Sequence, residues 1–261
     1  MISGGLTSIS FRKLTTEEIV SLVSKTDLTH IEWGGDVHVP HGDMKTAEQV
    51  RSMTADAGLR IASYGSYYKC VESPKSDPEF ACVLDTAEAL GAETVRIWAG
   101  GKSPHEADDD YRKAVMDDLS RICDAAAKAG LTISCEFHRH TLTETVESST
   151  ELMNAMSDHN LKTYWQPPYF LNASDQIPSL KKVLPSLTHV HAFKWLYEND
   201  NTDRRLLEEG RDEWMEYFNI ISKTGRNHCA FIEFVKDDQP ENFIRDAATL
   251  ASMLAEINGN S

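Results

Sequence analysis

The chain has 261 residues, of which 41% are apolar and 26% are charged, and its 26 basic and 41 acidic side chains give a net charge of −15. This composition supports a sizeable core and excludes a largely disordered chain. The acidic balance argues against a nucleic-acid partner, because phosphate polyanions would be repelled. No apolar run is long enough to span a membrane, and the first residues lack the pattern of a signal peptide, so we expect a cytoplasmic protein.

Eight short segments rich in apolar, β-branched and aromatic residues recur along the chain and predict strands. They span residues 5–11, 28–35, 59–66, 92–100, 131–138, 161–166, 187–193 and 229–235. Segments with helical periodicity lie between them, so a strand–helix unit repeats about every 30 residues. This alternation predicts a closed, parallel (β/α)8 barrel formed as a single domain over residues 1–261.

Capping motifs mark the starts of two predicted helices. Thr15 with Glu18, and Thr46 with Gln49, have the spacing of a capping box, in which the first side chain accepts a hydrogen bond from the third helical residue. We therefore expect helices to begin at Thr15 and at Thr46.

Other signals mark further helix boundaries. Asp77 is expected to cap a third helix, with Pro78 at its first position. Three helices are expected to end at glycines in the left-handed conformation, and a strand follows each within a few residues: Gly58, Gly91 and Gly130.

An open, doubly wound sheet is the alternative fold. That fold requires a glycine-rich phosphate loop after the first strand. The nearby glycines, Gly4 and Gly5, lie before or at the start of that predicted strand and not after it, which favours the barrel.

Cysteine spacing bears on the redox state of the protein. The number of cysteines is odd and no two form a CxxC pair, which argues against a disulfide framework or a zinc knuckle. We expect reduced thiols at all five positions: Cys70, Cys82, Cys123, Cys135 and Cys229.

Polar side chains end the last four predicted strands, where barrels carry their functional groups. They are Glu136, Gln166, His191 and Glu233. Each alone is simply explained as salt-bridged or hydrogen-bonded, but a run of four on consecutive strands predicts one shared metal ion. An oxygen-rich ligand set without thiolates favours Mn²⁺ or Mg²⁺, with Zn²⁺ or Co²⁺ as alternatives.

Other residues near strand ends are candidate substrate contacts. His138 follows Glu136 by two residues and points to the same side of its strand. His189 shares a face with His191, and we assign the metal to His191 because it lies nearer the strand end. Salt bridges or simple packing would also explain the remaining candidates, which are Arg96, Lys194, Glu32, Trp98 and Trp195.

The second half of the chain resembles the sugar phosphate isomerase/epimerase family, within the xylose isomerase-like barrel superfamily. The similarity lies in residues 136–153, 164–170, 190–195, 206–214 and 231–238. It implies a TIM barrel and a Glu–Asp–His–Glu metal site on strands five to eight.

One position departs from that pattern. Gln166 stands where the family has Asp, whereas Glu136, His191 and Glu233 match. An amide oxygen binds hard cations without adding charge, so weaker metal affinity and a more electrophilic metal are expected. In the alternative interpretation, Gln166 only hydrogen-bonds a metal-bound water or the substrate.

The resemblance implies metal-dependent isomerisation or epimerisation of a sugar, sugar phosphate or polyol derivative through an enediolate. Glu136 and Glu233 are the expected acid–base pair. The alternatives are a lyase of the inosose dehydratase type and a non-catalytic sugar-binding barrel, while charge and histidine content disfavour an endonuclease IV-like phosphodiesterase. We expect a small carbohydrate substrate as the partner, and neither a nucleic acid nor a membrane. The sequence leaves a homo-oligomer as an open possibility.

Overall fold

The computed structural model describes residues 1–73, 79–159, 161–168, 171, 173–198 and 201–259. Within them, parallel strands close into a barrel in chain order, and the last strand pairs with the first. The predicted (β/α)8 barrel is therefore confirmed, and the open sheet is excluded. The barrel strands are β1 Ile2–Thr7, β2 His30–Gly34, β3 Arg60–Lys69, β4 Thr94–Trp98, β5 Thr132–Cys135, β6 Lys162–Trp165, β7 Leu187–Ala192 and β10 His228–Ile232.

Helices connect the strands in sequence. In the helix Asp109–Lys128, for example, the buried side chains of Val115, Leu119, Ile122 and Ala126 recur every three or four residues, which is the spacing of one helical face. No helix in the described ranges combines the length and apolar character that crossing a membrane requires. The helices are α1 Thr16–Val23, α2 Met44–Asp56, α3 Phe80–Leu90, α4 Asp109–Lys128, α5 Val146–Ala155, α6 Ala173–Val183, α7 Arg211–Ser222 and α8 Pro240–Gly259.

The two predicted capping boxes differ in outcome. The first is confirmed, because the Glu18 amide donates to Thr15 Oγ1 at 3.2 Å and the Thr15 amide donates to Glu18 Oε2 at 2.8 Å. The second is wrong: Asp43 caps α2 and accepts from the Thr46 amide at 3.0 Å. A carboxylate at a helix N-terminus gains from the helix dipole as well as from the hydrogen bond, so the helix starts earlier.

The glycine-ended helices are confirmed. Gly58, Gly91 and Gly130 have positive φ angles of 74°, 75° and 74°, the left-handed conformation that favours glycine. The predicted cap at Asp77 and Pro78 lies outside the described residues.

The first strand begins earlier than predicted. Gly4 and Gly5 lie inside β1, and the following residues, 8–11, form a 3₁₀ turn. A Cβ atom at Gly5 would lie 2.6 Å from the backbone oxygen of His30 and 2.8 Å from the Phe231 ring. These glycines therefore serve close strand packing, a use that a linear pattern does not show.

An antiparallel hairpin follows β7 directly and was not predicted. Its strands are β8 Lys194–Glu198 and β9 Asn201–Arg205. Lys194 and Trp195, expected at the end of the seventh barrel strand, lie instead on this hairpin, since β7 ends at Ala192.

Candidate metal centre

The barrel brings four side chains together at the carboxyl ends of its last four strands. Glu136, Gln166 and Glu233 each follow their strand by one residue, and His191 is the penultimate residue of β7. Ligand atoms of Glu136, His191 and Glu233 lie within 4.8 Å of one another, and all three residues are buried. Gln166 Oε1 lies 3.1 Å from His191 Nδ1. Four neighbouring strands thus direct oxygen and nitrogen ligands to one point.

The imidazole of His191 has two different sides. Its Nδ1 lies 3.1 Å from Glu233 Oε2 and 3.7 Å from Glu136 Oε1. Its Nε2 lies 3.3 Å from Glu32 Oε1, and a carboxylate there can only accept. Nε2 is therefore the nitrogen that carries a proton toward Glu32, and Nδ1 is the nitrogen available to a cation. Carboxylates behind metal-binding histidines commonly fix the ring in this way.

Three buried carboxylates, Glu32, Glu136 and Glu233, surround His191, with Arg96 as the one arginine paired with them among the described residues. Burial opposes protonation of His191, but Glu233 and Glu32 outweigh it and raise the pKa of the ring to about 10. Burial likewise opposes ionisation of Glu136, yet the charges of Arg96 and His191 hold its pKa below the ordinary value. The centre therefore favours a positive charge beside Nδ1, where a divalent cation would lie.

The hydrogen bonding of Glu233 tests whether these residues fit a metal. Glu233 is 3% exposed, and its Oε2 has no hydrogen-bond partner among the described residues, although it lies 3.1 Å from His191 Nδ1. An N–H at Nδ1 has Gln166 Oε1 as its acceptor. A buried carboxylate oxygen without a donor is costly, and a cation would satisfy it. The donor set, which lacks thiolate, fits a hard divalent ion.

Glu32 and Arg96 were expected to contact substrate, and both have protein partners in the structure. Glu32 is fully buried and accepts hydrogen bonds from Tyr164 at 2.8 Å and from Thr7 at 3.2 Å. Arg96 is 1% exposed, with Nε donating to Glu32 Oε1 at 3.0 Å and Nη1 paired with Glu136 Oε2. Both are buried inside the barrel, where they form an ion pair, and their contact with substrate stays a prediction.

Two other predicted substrate contacts have protein partners. Lys194 Nζ donates to Glu213 Oε2 on α7 at 2.6 Å, and its contact with substrate stays a prediction. Trp98 Nε1 donates to Glu136 Oε2 at 2.6 Å, and its ring stacks on His138 with centroids 4.7 Å apart. Trp98 therefore supports the carboxylate of Glu136.

A cavity of about 340 Å³ opens above the cluster, lined in part by His138, Gln166 and Trp195. Phe193, Trp195 and Phe234 form one aromatic wall, with ring centroids 4.5–5.3 Å apart. Substrate contact by His138 and Trp195 stays a prediction, and this position is compatible with it. The sequence analysis missed Phe193 and Phe234. Phe193 directly follows the last residue of β7, and Phe234 directly follows Glu233, so their positions next to strand ends were the available signal.

His189, the second histidine of β7, lies away from the metal cluster. Its Nδ1 accepts from the Cys229 amide at 3.0 Å, and Nε2 lies 3.5 Å from Thr94 Oγ1. Burial lowers the pKa of His189 to about 3, so this ring is neutral. It is a hydrogen-bonded core residue.

Comparison with known proteins supports this architecture. A curated 3-dehydroshikimate dehydratase from Bacillus anthracis is 23% identical over 203 residues, covering 71% of this chain and 69% of that protein. The crystal structure of the probable 3-DHS dehydratase AsbF from Bacillus anthracis has a TM-score of 0.77 at 21% identity, covering 97% of this chain and 98% of that one.

Two further solved structures share the fold. A xylose isomerase-like TIM barrel protein from Mycobacterium smegmatis, in complex with magnesium, has a TM-score of 0.77 at 15% identity over 98% of this chain and 97% of that one. D-psicose 3-epimerase, in the presence of D-fructose, has a TM-score of 0.72 at 14% identity over 98% and 99%. A family model for the xylose isomerase-like TIM barrel matches residues 20–253. The chain belongs to the xylose isomerase-like TIM barrel family.

Proposed function

We propose that this protein is a divalent-metal-dependent enzyme that removes a proton beside a carbonyl group in a small polyhydroxylated substrate. The main support for this proposal is that the buried side chains of Glu136, His191 and Glu233 converge beneath a cavity with an aromatic wall. Buried carboxylates without matching donors are seldom kept for stability, and they are common at catalytic sites.

The side chains divide the work of such a reaction. Glu136, His191 and Glu233 would hold the ion, with the amide oxygen of Gln166 as a fourth ligand. A bound divalent cation supplies positive charge beside the substrate oxygens, which lowers the cost of the developing enolate. Glu136 and Glu233 are the candidates to take the carbon-bound proton, and the aromatic wall would orient the substrate and exclude water.

Dehydration is the outcome we favour. In that reaction a hydroxyl β to the carbonyl leaves as water after the α-proton is removed. The curated dehydratase relative and the AsbF fold both support this choice. Isomerisation or epimerisation is the second candidate, supported by the fold shared with D-psicose 3-epimerase.

Product mass separates the two reactions. The protein, loaded with Mn²⁺ or Mg²⁺, is incubated with 3-dehydroshikimate and, separately, with D-fructose and D-psicose. A product lighter by one water supports the dehydratase, and an isomer of equal mass supports the epimerase. Removal of metal by a chelator should stop either reaction. Ligand binding without conversion would instead indicate a non-catalytic barrel and contradict the enzyme proposal.

A further inference from the structure

The two glutamates of the metal cluster look equivalent in the sequence, but their surroundings differ. We propose that Arg96 and Trp98 are positioning residues that hold Glu136 as a fixed ligand, which leaves Glu233 as the one carboxylate that moves the proton. This inference rests on the proposed metal-dependent function and divides the roles within that site.

The two oxygens of Glu136 face different partners. Oε2 receives two donors, Nη1 of Arg96 and Nε1 of Trp98, the latter at 2.6 Å. Oε1 faces His191 Nδ1 at 3.7 Å. Because charge-assisted hydrogen bonds are strong and directional, this pair of donors fixes the plane of the carboxylate. One oxygen is thus directed at the metal position and the other is occupied.

Arg96 is itself held at its other end. Nε donates to Glu32 Oε1 at 3.0 Å, and the Tyr67 ring lies 5.3 Å from the guanidinium carbon. Since the guanidinium is planar and bridges two buried carboxylates, it cannot turn without breaking an ion pair. Glu32 also faces Nε2 of His191, so one buried network orients two of the metal ligands.

Gly65 on β3 gives this network its space. A Cβ atom at Gly65 would lie 2.6 Å from Arg96 Nη2 and 3.4 Å from Glu32 Oε1. Nη2 is buried and has no hydrogen-bond partner among the described residues, so the guanidinium is held through its other two nitrogens. Because Gly65 has no side chain, the Arg96 guanidinium has room to occupy this position.

Glu233 has no comparable support. Its Oε2 lacks a hydrogen-bond partner in the described part of the chain, and no arginine or tryptophan is paired with it there. Because Oε2 faces the metal position, the other oxygen of Glu233 would take the proton, and among the described residues no donor pair like Arg96 and Trp98 fixes this carboxylate. Sequence position alone does not reveal this difference.

A single proton carrier constrains the chemistry. Glu233 would take the α-proton, and the C–H electrons would form the C=C bond of the enolate. As the C=O bond re-forms, those electrons would shift to the α,β bond, the β C–O bond would break, and the hydroxide would leave with the proton from Glu233 as water. The proton is removed and delivered on one face of the substrate. An epimerisation that exchanges protons on opposite faces would require Glu136 as a second carrier, which its hydrogen bonds oppose.

The positioning role is tested without substrate by calorimetric titration of Mn²⁺ into the metal-stripped wild type and Trp98→Phe. Loss of a hydrogen bond behind a ligand typically weakens metal binding about 10–100-fold, and we expect a loss of at least about tenfold. Trp33→Phe is the matched control, because Trp33 is an equally large buried indole on β2 without a partner in the site. Its metal affinity should equal that of the wild type.

Arg96→Lys is a second test of the positioning role, because lysine keeps the positive charge but cannot bridge two carboxylates. It should weaken Mn²⁺ binding while the thermal unfolding temperature without metal shows that the fold persists. Wild-type affinity in both Trp98→Phe and Arg96→Lys would overturn the positioning role. Failure of the wild type itself to bind metal would instead overturn the proposed function.

The proton-carrying role is tested with 3-dehydroshikimate deuterated at the α-carbon and saturating Mn²⁺, by following release of that deuterium to water. Glu233→Gln should abolish the release, and Glu233→Asp should restore part of it. Release at the wild-type rate in Glu233→Gln would overturn the assignment of the proton to Glu233.

Discussion

Gln166 is the residue at which this chain departs from the metal site that its resemblance implies. Its Oε1 lies 3.1 Å from His191 Nδ1, within reach of the position that the other ligands surround. If it is a ligand, Gln166→Asp should tighten Mn²⁺ binding through an added negative charge, each 1.4 kcal/mol being about tenfold. Turnover should not improve, because the added charge makes the metal a poorer electrophile.

Gln166→Ala is the complementary change, and the same titration measures it. A lost ligand should reduce Mn²⁺ affinity by about tenfold or more. Unchanged affinity together with a higher KM would show that Gln166 binds substrate and would contradict the ligand assignment.

The two glutamates should respond differently to saturating metal. Glu136→Gln removes a negative charge and leaves one amide oxygen to serve either the Arg96 and Trp98 donors or the metal, so its main defect should be metal affinity, and excess Mn²⁺ should recover part of the turnover. Glu233→Gln should stay about 10²–10⁴-fold below the wild type at any metal concentration, because a proton carrier is missing. Steady-state rates measured across a Mn²⁺ series distinguish the two. Equal recovery in both variants would contradict the division of roles.

Residue types at strand ends were enough to predict which side chains converge, because a parallel barrel brings those ends together. The partners of Glu32 and Arg96 were not predictable in this way. The pair joins β2 to β4, 64 positions apart, and forms only inside the closed barrel. A strand pattern shows that such a residue faces inward, but it does not show which opposite charge it meets.

The hairpin of β8 and β9 is the element that borders the candidate cavity, and Lys194 holds its base to α7. Lys194 Nζ lies 2.6 Å from Glu213 Oε2, with side chains 17% and 36% exposed. Lys194→Met should loosen the hairpin and raise KM by about fivefold, which corresponds to about 1 kcal/mol, with little change in kcat.

Lys182→Met is the control for that change. It breaks an exposed pair with Glu147 on the outer helices and should leave KM unaltered. An equal effect of the two substitutions would show that the hairpin does not shape the cavity.

Regular elements were predictable because each barrel strand has a continuous apolar pattern and the helix ends carry glycine signals. The hairpin was missed because residues 190–197 form one unbroken apolar-rich stretch, which hides the end of β7 at Ala192. A sequence signal was present: residues 199–201 read Asn-Asp-Asn, residue types that favour turns, directly after this stretch. Helix α2 begins before the predicted cap at Thr46, because Asp43 is the stronger cap.

The stability of the whole barrel should depend on pH through Asp246 on α8. Asp246 is buried and accepts from the Leu207 amide at 2.8 Å, and burial raises its pKa to about 6. The folded protein therefore holds this proton more tightly than the unfolded chain. Stability from this group is present below about pH 4 and is lost as the pH rises to about 6, by about 1–3 kcal/mol at 1.36 kcal/mol per pKa unit.

Asp246→Asn keeps the acceptor and removes the charge, so it should be more stable than the wild type at pH 7 and similar to it at pH 4. Asp56→Asn, at an exposed position of α2, controls for the loss of one negative charge. Thermal unfolding across this pH range measures both. A constant difference between Asp246→Asn and wild type at all pH values would contradict the assignment.

The central claim is that the mouth of the barrel binds one divalent ion through Glu136, His191 and Glu233. Calorimetric titration of Mn²⁺ into metal-stripped wild type and His191→Ala tests it most directly, with circular dichroism to verify that both are folded. We predict one ion per wild-type chain and binding at least about 100-fold weaker in His191→Ala, since a ligand and its link to Glu32 are lost. Absence of binding in the wild type, or equal binding in the two proteins, would contradict the account.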